Sequence, residues 1–186
     1  MGLIPCSEFK CNFNETITEI CAENAESNFA ELIRFDKMVT MEWKENLLTA
    51  DVEIAELLRS TKRIAVLGIK PESHAGQPAY YVPKYMQNAG FEIIPVPVYY
   101  PEVTEIMGEK VYRRLSEVPG DIDMLNVFRR SQDVFQHVEA ILAKKPKSVW
   151  LQLGIWNDEA AEAWAKAGIK VVQNLCLMVE HRALLR

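Results

Sequence analysis

The sequence predicts a doubly wound α/β domain: a parallel sheet of about five strands with flanking helices, preceded by a helical N-terminal extension. Three observations carry this. Short apolar runs alternate with stretches of helical period over five repeats, which specifies a parallel sheet with right-handed crossovers. Runs such as Ile64 to Leu67 are apolar at consecutive positions, as a strand covered on both faces requires. Gly68, Gly90, Pro146 and Gly168 punctuate the ends of these segments.

Composition bounds the problem. At 186 residues and 49% apolar, the chain has room for one ordinary domain with a full core, one cleft and an extension. We place the extension at residues 1–42 and the domain at residues 43–186. No apolar run approaches the roughly 18 to 20 residues of a membrane span, and no basic stretch leads into an apolar block as in a secretory leader. Cys6, Cys11, Cys21 and Cys176 form no C-x-x-C pair, and only one of them falls in the expected core. A reducing cytoplasm suits that usage, and structural zinc does not. The net charge of −5 is uneven: residues 1–40 carry seven acids and three bases, which leaves −1 for the remainder. Nothing in that distribution is the basic footprint of a nucleic-acid binder.

In the extension, Ile17, Ile20 and Cys21, then Phe29, Leu32 and Ile33, suit an acidic helical stretch. Its apolar positions fit docking on the core, on a second copy or on a partner protein, beside the plainer reading as a partly ordered tail. From Trp43 to Arg59 a helical turn or two leads into a longer helix that starts near Asp51. The first strand follows at Ile64 to Leu67. Ala79 to Ala89 is the next helix, closed by Gly90, with Pro83 expected in or near its first turn because an interior proline breaks the backbone ladder. Phe91 to Val98 is the second strand, whose prolines Pro95 and Pro97 force its second half out of the sheet. The segment to Pro119 reads as a loop with a turn at Gly108 and a helix-like piece from Val111 to Val118. Asp121 to Phe128 is the third strand, and Ser131 is read as the cap of a helix closed by Lys144, Lys145 and Pro146. Ser148 to Leu153 is the fourth strand. Asn157 caps the next helix, which Gly168 ends, and Ile169 to Gln173 and Cys176 to Leu185 are the last strand and helix.

Ligands of such sheets sit at the carboxyl ends of the strands. The loop from Gly68 to Pro78 lies there, ahead of a helix N-terminus that offers free N–H groups to an anion. A nicotinamide site would need G-x-G-x-x-G after the first strand and an acid after the second; Gly68 is followed by Ile69 and Lys70, and the second strand ends in Val96, Pro97 and Val98. No Gly-Lys pair exists for a Walker loop. The strand ends supply instead Lys70 and Ser73, then Phe128 with Arg129 and Arg130, then Gln152 and Gly154, then Asn174. That inventory suits an anionic ligand bearing adenine or another planar group. Lys70 taken singly is more often a solvated loop cation, and Arg129 or Arg130 more often a surface or helix-capping residue. Gln152, between Leu151 and Leu153 in a buried strand, must find partners in a cleft or on loop backbone.

RIAVLGIK at 63–70, EIIPVPV at 92–98, GEKVYRRLSEVPGDIDMLNVFRRSQDV at 108–134, VWLQLGIWNDEAA at 149–161 and AGIKVVQNLCLMVEHR at 167–182 are together similar to the stand-alone CoA-binding proteins. That family is related to the CoA-binding domain of succinyl-CoA synthetase α subunits. The resemblance covers roughly residues 50–185 and implies a Rossmann-like fold with CoA or acyl-CoA across the strand ends. It implies that Gly68, Ile69 and Lys70 lie near the diphosphate and that Val96 and Pro97 form the adenine side. Phe128 and Arg129 would supply a ring and a phosphate contact, and Gln152, Gly154 and Asn157 the pantetheine side. Three departures stand out. Ile69 and Lys70 replace a small residue and Ser, Val96-Pro97-Val98 replaces V-N-P or V-S-P, and Asn174-Leu175-Cys176 replaces D-R-C, which removes a fixed cation.

No acceptable catalytic set accompanies this. His74, His137 and His181 read as surface histidines, with His74 nearest the cleft. Cys176 opens the last helix, where a core thiol and a mixed disulfide with CoA are both open readings. The expectation is therefore a CoA-binding carrier, sensor or partner module. Two alternatives stand beside it: a Rossmann-type enzyme or binder of NADP or another nucleotide, and a structural subunit whose cleft has decayed.

Overall fold

The computed structural model describes residues 43–185. The expected acidic helical extension lies outside them. A 3-10 turn at Trp43–Asn46 leads into Leu48, whose N–H donates to the Val171 carbonyl at 2.8 Å and so pins the start of the domain to its last strand. Helix α1 (Asp51–Ser60) carries Asp51 and Glu53 in its first turn, where the dipole favours acids, and ends at Thr61, whose hydroxyl donates to the Leu57 carbonyl at 2.8 Å.

Seven strands follow: β1 (Arg63–Leu67), β2 (Glu92–Val96), β3 (Glu105–Ile106), β4 (Glu109–Lys110), β5 (Met124–Val127), β6 (Ser148–Leu151) and β7 (Lys170–Val172). Five of them make one parallel sheet in the order β2-β1-β5-β6-β7. The remaining helices are α2 (Pro78–Asn88), α3 (Ser131–Val134), α4 (Val138–Lys144), α5 (Asp158–Lys166) and α6 (Leu177–Leu185).

Strand alternation divides the apolar runs between two cores. Ala65, Leu67, Ile94, Val96, Leu125, Val127, Val149 and Leu151 face α4 and α5 through residues such as Ile141 and Trp164. Ile64, Val66, Ile93, Met124 and Trp150 face α1, α2 and α6 through Leu58, Val82, Met86 and Leu177. This is the doubly wound arrangement that the consecutive apolar positions predict.

Four local expectations are corrected. Pro83 sits well inside α2 rather than in its first turn. The carbonyl it leaves without a helical donor is that of Ala79, which instead accepts the Lys70 N–H at 3.2 Å. Pro95 lies within β2, on the edge of the sheet. Its carbonyl accepts the Tyr112 N–H at 2.9 Å on the side away from β1, so its missing N–H faces outward and costs no ladder bond. Residues 105–110 form a two-stranded hairpin. Met107 and Gly108 both have positive φ, 59° and 78°, as a tight turn matched to strand twist requires, and only Leu115–Glu117 downstream is helical, as a 3-10 turn. Finally, Ser131 is no side-chain cap: its hydroxyl accepts the Trp156 N–H at 3.2 Å, and a 3-10 turn at Phe135–His137 splits the expected helix into α3 and α4.

Candidate functional site

The chain moves from β1 outward to β2 and then returns past β1 to β5, so the winding reverses between β1 and β5. At such a reversal the loops leaving neighbouring strands part in opposite directions and leave a crevice. Gly68 ends β1 there with φ +85°, and a Cβ on it would lie 2.4 Å from the Phe128 carbonyl oxygen. Only glycine permits that approach. Its N–H donates to the Val96 carbonyl at 2.9 Å, while the Phe128 N–H donates to the Leu67 carbonyl at 2.9 Å, so the ends of β1, β2 and β5 are fixed to one another.

A cleft of about 860 Å³ opens over the ends of β1 and β2. Leu67, Val96, Pro97, Val98 and Tyr99 give it an apolar wall, and Arg113, Arg114, His137 and Lys144 line it without any carboxylate. Arg113 spends its guanidinium on the carbonyls of Tyr100, Pro101 and Val103, which holds the loop after β2 in place. Lys144 donates to the Val118 and Gly120 carbonyls at 2.6 and 2.9 Å. Burial, and then the neighbouring Arg129, hold the His137 imidazole below the usual histidine range against the opposing pull of Asp133.

A second cleft of about 460 Å³ lies over β1, β5 and β6, lined among others by Lys70, Gln77, Phe128, Arg129, Gln152 and Cys176. Arg129 is the buried cation here, its side chain 9% exposed and one nitrogen 3.6 Å from the Asp133 carboxylate. Its Nε has no hydrogen-bond partner among the described residues. The guanidinium lies 5.7 Å from the ring centroid of Tyr99, which lines the larger cleft, so this cation–π pair joins the two. Asp133 is held chiefly by Arg130, at 2.7 Å, and that hydrogen bond depresses its pKa.

The residues singled out by sequence divide accordingly. Val96 and Pro97 line the larger cleft; Lys70, Phe128, Arg129, Gln152 and Cys176 line the smaller; Gly68 sits at the crossing between them. Gln152 is 4% exposed, donates to Asn126 Oδ1 at 2.8 Å and accepts the Leu177 N–H at 3.4 Å, so it also ties the start of α6 to the sheet. The others lie outside both linings. The Ile69 side chain is 1% exposed in the core, leaving only its backbone to face a ligand. Ser73 pairs with His74 Nδ1 at 3.0 Å in a 3-10 turn. Asn157 caps α5 through the Ala160 N–H at 2.9 Å and donates to the Ser131 carbonyl at 3.2 Å. The Asn174 side chain accepts the Gly154 N–H at 2.7 Å, each residue having positive φ. Tyr99, Arg113, Arg114, His137 and Lys144 join the larger cleft without being part of the sequence motif. A helical pattern over 111–118 hides Arg113 and Arg114, although two adjacent arginines after a Gly108 turn are a visible signal.

The comparisons with known proteins agree with this geometry. A family model described as CoA binding domain matches residues 62–182. The uncharacterized protein YneT of Bacillus subtilis is 39% identical over 129 residues, 69% of this chain and 92% of that protein. Among solved structures, cell-free ID.343 from Thermus thermophilus superposes with a TM-score of 0.68 at 37% identity, covering 74% of this chain and all (100%) of that one. A hypothetical protein from Pyrococcus horikoshii OT3 gives a TM-score of 0.67 at 32% identity, over 74% of this chain and 94% of its own.

Proposed function

The chain belongs to the CoA binding domain family, whose ligand is coenzyme A, and on that footing we propose that it holds CoA or an acyl-CoA across both clefts as a carrier, sensor or partner module. In this reading the adenosine end occupies the larger cleft against Val96 and Pro97. The diphosphate crosses at Gly68, Lys70 and Arg129, and the pantetheine arm runs over Gln152 toward Cys176. Residues 43–186 are then the CoA-holding domain, and residues 1–42 an appendage open to a partner protein or a second copy.

The observation that carries the reading is the Arg129 and Tyr99 pair. A buried guanidinium with an unpartnered Nε stands where two clefts meet, which suits an anion flanked by a flat ring on one side and a flexible arm on the other. The test is isothermal titration of the reduced full-length chain with CoA, acetyl-CoA and NADP. Saturable binding of CoA and acetyl-CoA and not NADP supports the proposal. Binding of NADP alone replaces it with the nucleotide-enzyme reading, and silence with all three leaves the decayed cleft.

A further inference from the structure

The larger cleft contains more positive charge than an adenine ring needs. Four basic side chains line it with no acid among the lining residues, yet two of the four are already engaged: Arg113 on three backbone carbonyls and Lys144 on two. Two groups remain uncommitted. Arg114 is exposed and its side chain makes no hydrogen bond or ion pair among the described residues, and His137 Nε2 is buried with no partner among them. A buried ring nitrogen without a partner is costly in a folded protein, and a small turn of the ring toward the cleft would let a ligand oxygen satisfy it. An arginine fork is matched in geometry to phosphate, where a bare surface lysine would act only as a point charge.

The apolar wall of Leu67, Val96, Pro97 and Val98 in the same cleft suits a planar base. A base site beside a free arginine fork and an unpartnered imidazole nitrogen has the chemistry of a phosphorylated nucleoside. Resting on the CoA reading above, we infer that Arg114 and His137 bind the 3′-phosphate of CoA, and that this chain thereby distinguishes CoA from dephospho-CoA. The diphosphate is accounted for by Lys70 and Arg129 at the crossing, so the phosphomonoester on the ribose is the one anion of the ligand left for this pair. Arg113 and Lys144 hold the surrounding loops and add to the field without spending further donors.

The experiment is isothermal titration of the reduced full-length chain with CoA and with dephospho-CoA, for the wild type, Arg114→Ala, Arg114→Lys, His137→Gln and Lys170→Ala. Lys170 is exposed at the opposite end of the sheet and controls for loss of one positive charge. The wild type is expected to prefer CoA by about tenfold or more, the size of one or two charge-assisted hydrogen bonds. Arg114→Ala should remove most of that preference by weakening CoA alone, Arg114→Lys should restore part of it, and His137→Gln should lower it to a lesser extent. Lys170→Ala should keep it. Equal affinity of the wild type for both nucleotides overturns the inference while leaving CoA binding intact. So does an Arg114→Ala variant that weakens both nucleotides equally. Failure of the wild type to bind either nucleotide overturns the CoA reading itself.

Discussion

The backbone N–H of Lys70 donates at 3.2 Å to the carbonyl of Ala79, the carbonyl that Pro83 leaves unpaired one turn on in α2. A proline that interrupts a helix thus becomes the anchor of the loop after β1. Glu72 adds a second tie from the same loop by accepting the Met107 N–H of the hairpin at 2.6 Å. Lys70 is therefore held beside the smaller cleft through its backbone as well as through its side chain, whose Nζ donates to Gln77 Oε1.

Replacing Pro83 by Ala supplies a competing intrahelical donor to Ala79. The Lys70 amide should then exchange hydrogen faster, while the thermal midpoint moves by only a few degrees because one backbone bond is traded for another. Hydrogen exchange read at peptide level over residues 68–77 measures this. Unchanged protection would mean that the Ala79 carbonyl is not what holds the loop.

Gly68→Ala is expected to be the most damaging single change near the site. Its Cβ would meet the Phe128 carbonyl oxygen at 2.4 Å, and φ of +85° is strained for any side chain. A loss of about 2–4 kcal/mol in urea denaturation is expected, with weaker CoA binding in whatever remains folded.

Arg129→Met should separate binding from stability. Asp133 keeps its 2.7 Å partner Arg130, and the Arg129 contact at 3.6 Å is the looser of the two, so unfolding should shift by about 1 kcal/mol or less. CoA affinity should fall at least tenfold if the guanidinium meets the diphosphate. Titration beside a urea melt gives both numbers. A variant that loses stability but keeps affinity would assign Arg129 to the fold.

Asn157→Ala should behave in the opposite way. It removes the α5 cap and the bond to the Ser131 carbonyl, costing about 1–2 kcal/mol, and should leave the affinity of the folded protein for CoA near that of the wild type.

The depressed pKa of His137 makes stability depend on pH with a definite sign. The unfolded imidazole takes up a proton near its ordinary pKa of about 6.5, and the folded one only at lower pH. The stabilisation is complete above that ordinary value and is lost progressively as pH falls from it through the folded pKa. Urea midpoints between pH 7.5 and 5 should fall more steeply for the wild type than for His137→Gln. Parallel slopes would place the titration elsewhere.

The strands were legible because each core face demands apolar residues at consecutive positions, and α5 because Asn157 and Gly168 mark its ends chemically. The hairpin at 105–110 was not. Its strands are two residues each, too short for a period, and Met107 in a left-handed turn carries no compositional mark. Pro83 misled for a similar reason: the rule that bars it from a helix interior is local, and its compensation comes from a loop nine residues upstream of the freed carbonyl. Gln152 is legible in the sequence as a buried amide in need of partners, but those partners, Asn126 and Leu177, are about 25 residues away in sequence.

The sequence by itself determined the doubly wound sheet, most of its helix limits and the kinship with CoA-binding proteins, because periodicity, caps and turn residues act over a few positions. Only the tertiary structure decided which polar groups share a cleft. Arg114 and His137 lie 23 positions apart in sequence and line one cavity, while Asn157 and Asn174, closer to the expected motif, are spent on caps and turns. The physical reason is that a ligand site is defined by donors left unsatisfied once the backbone has claimed its own, and that tally is fixed only when the loops have packed.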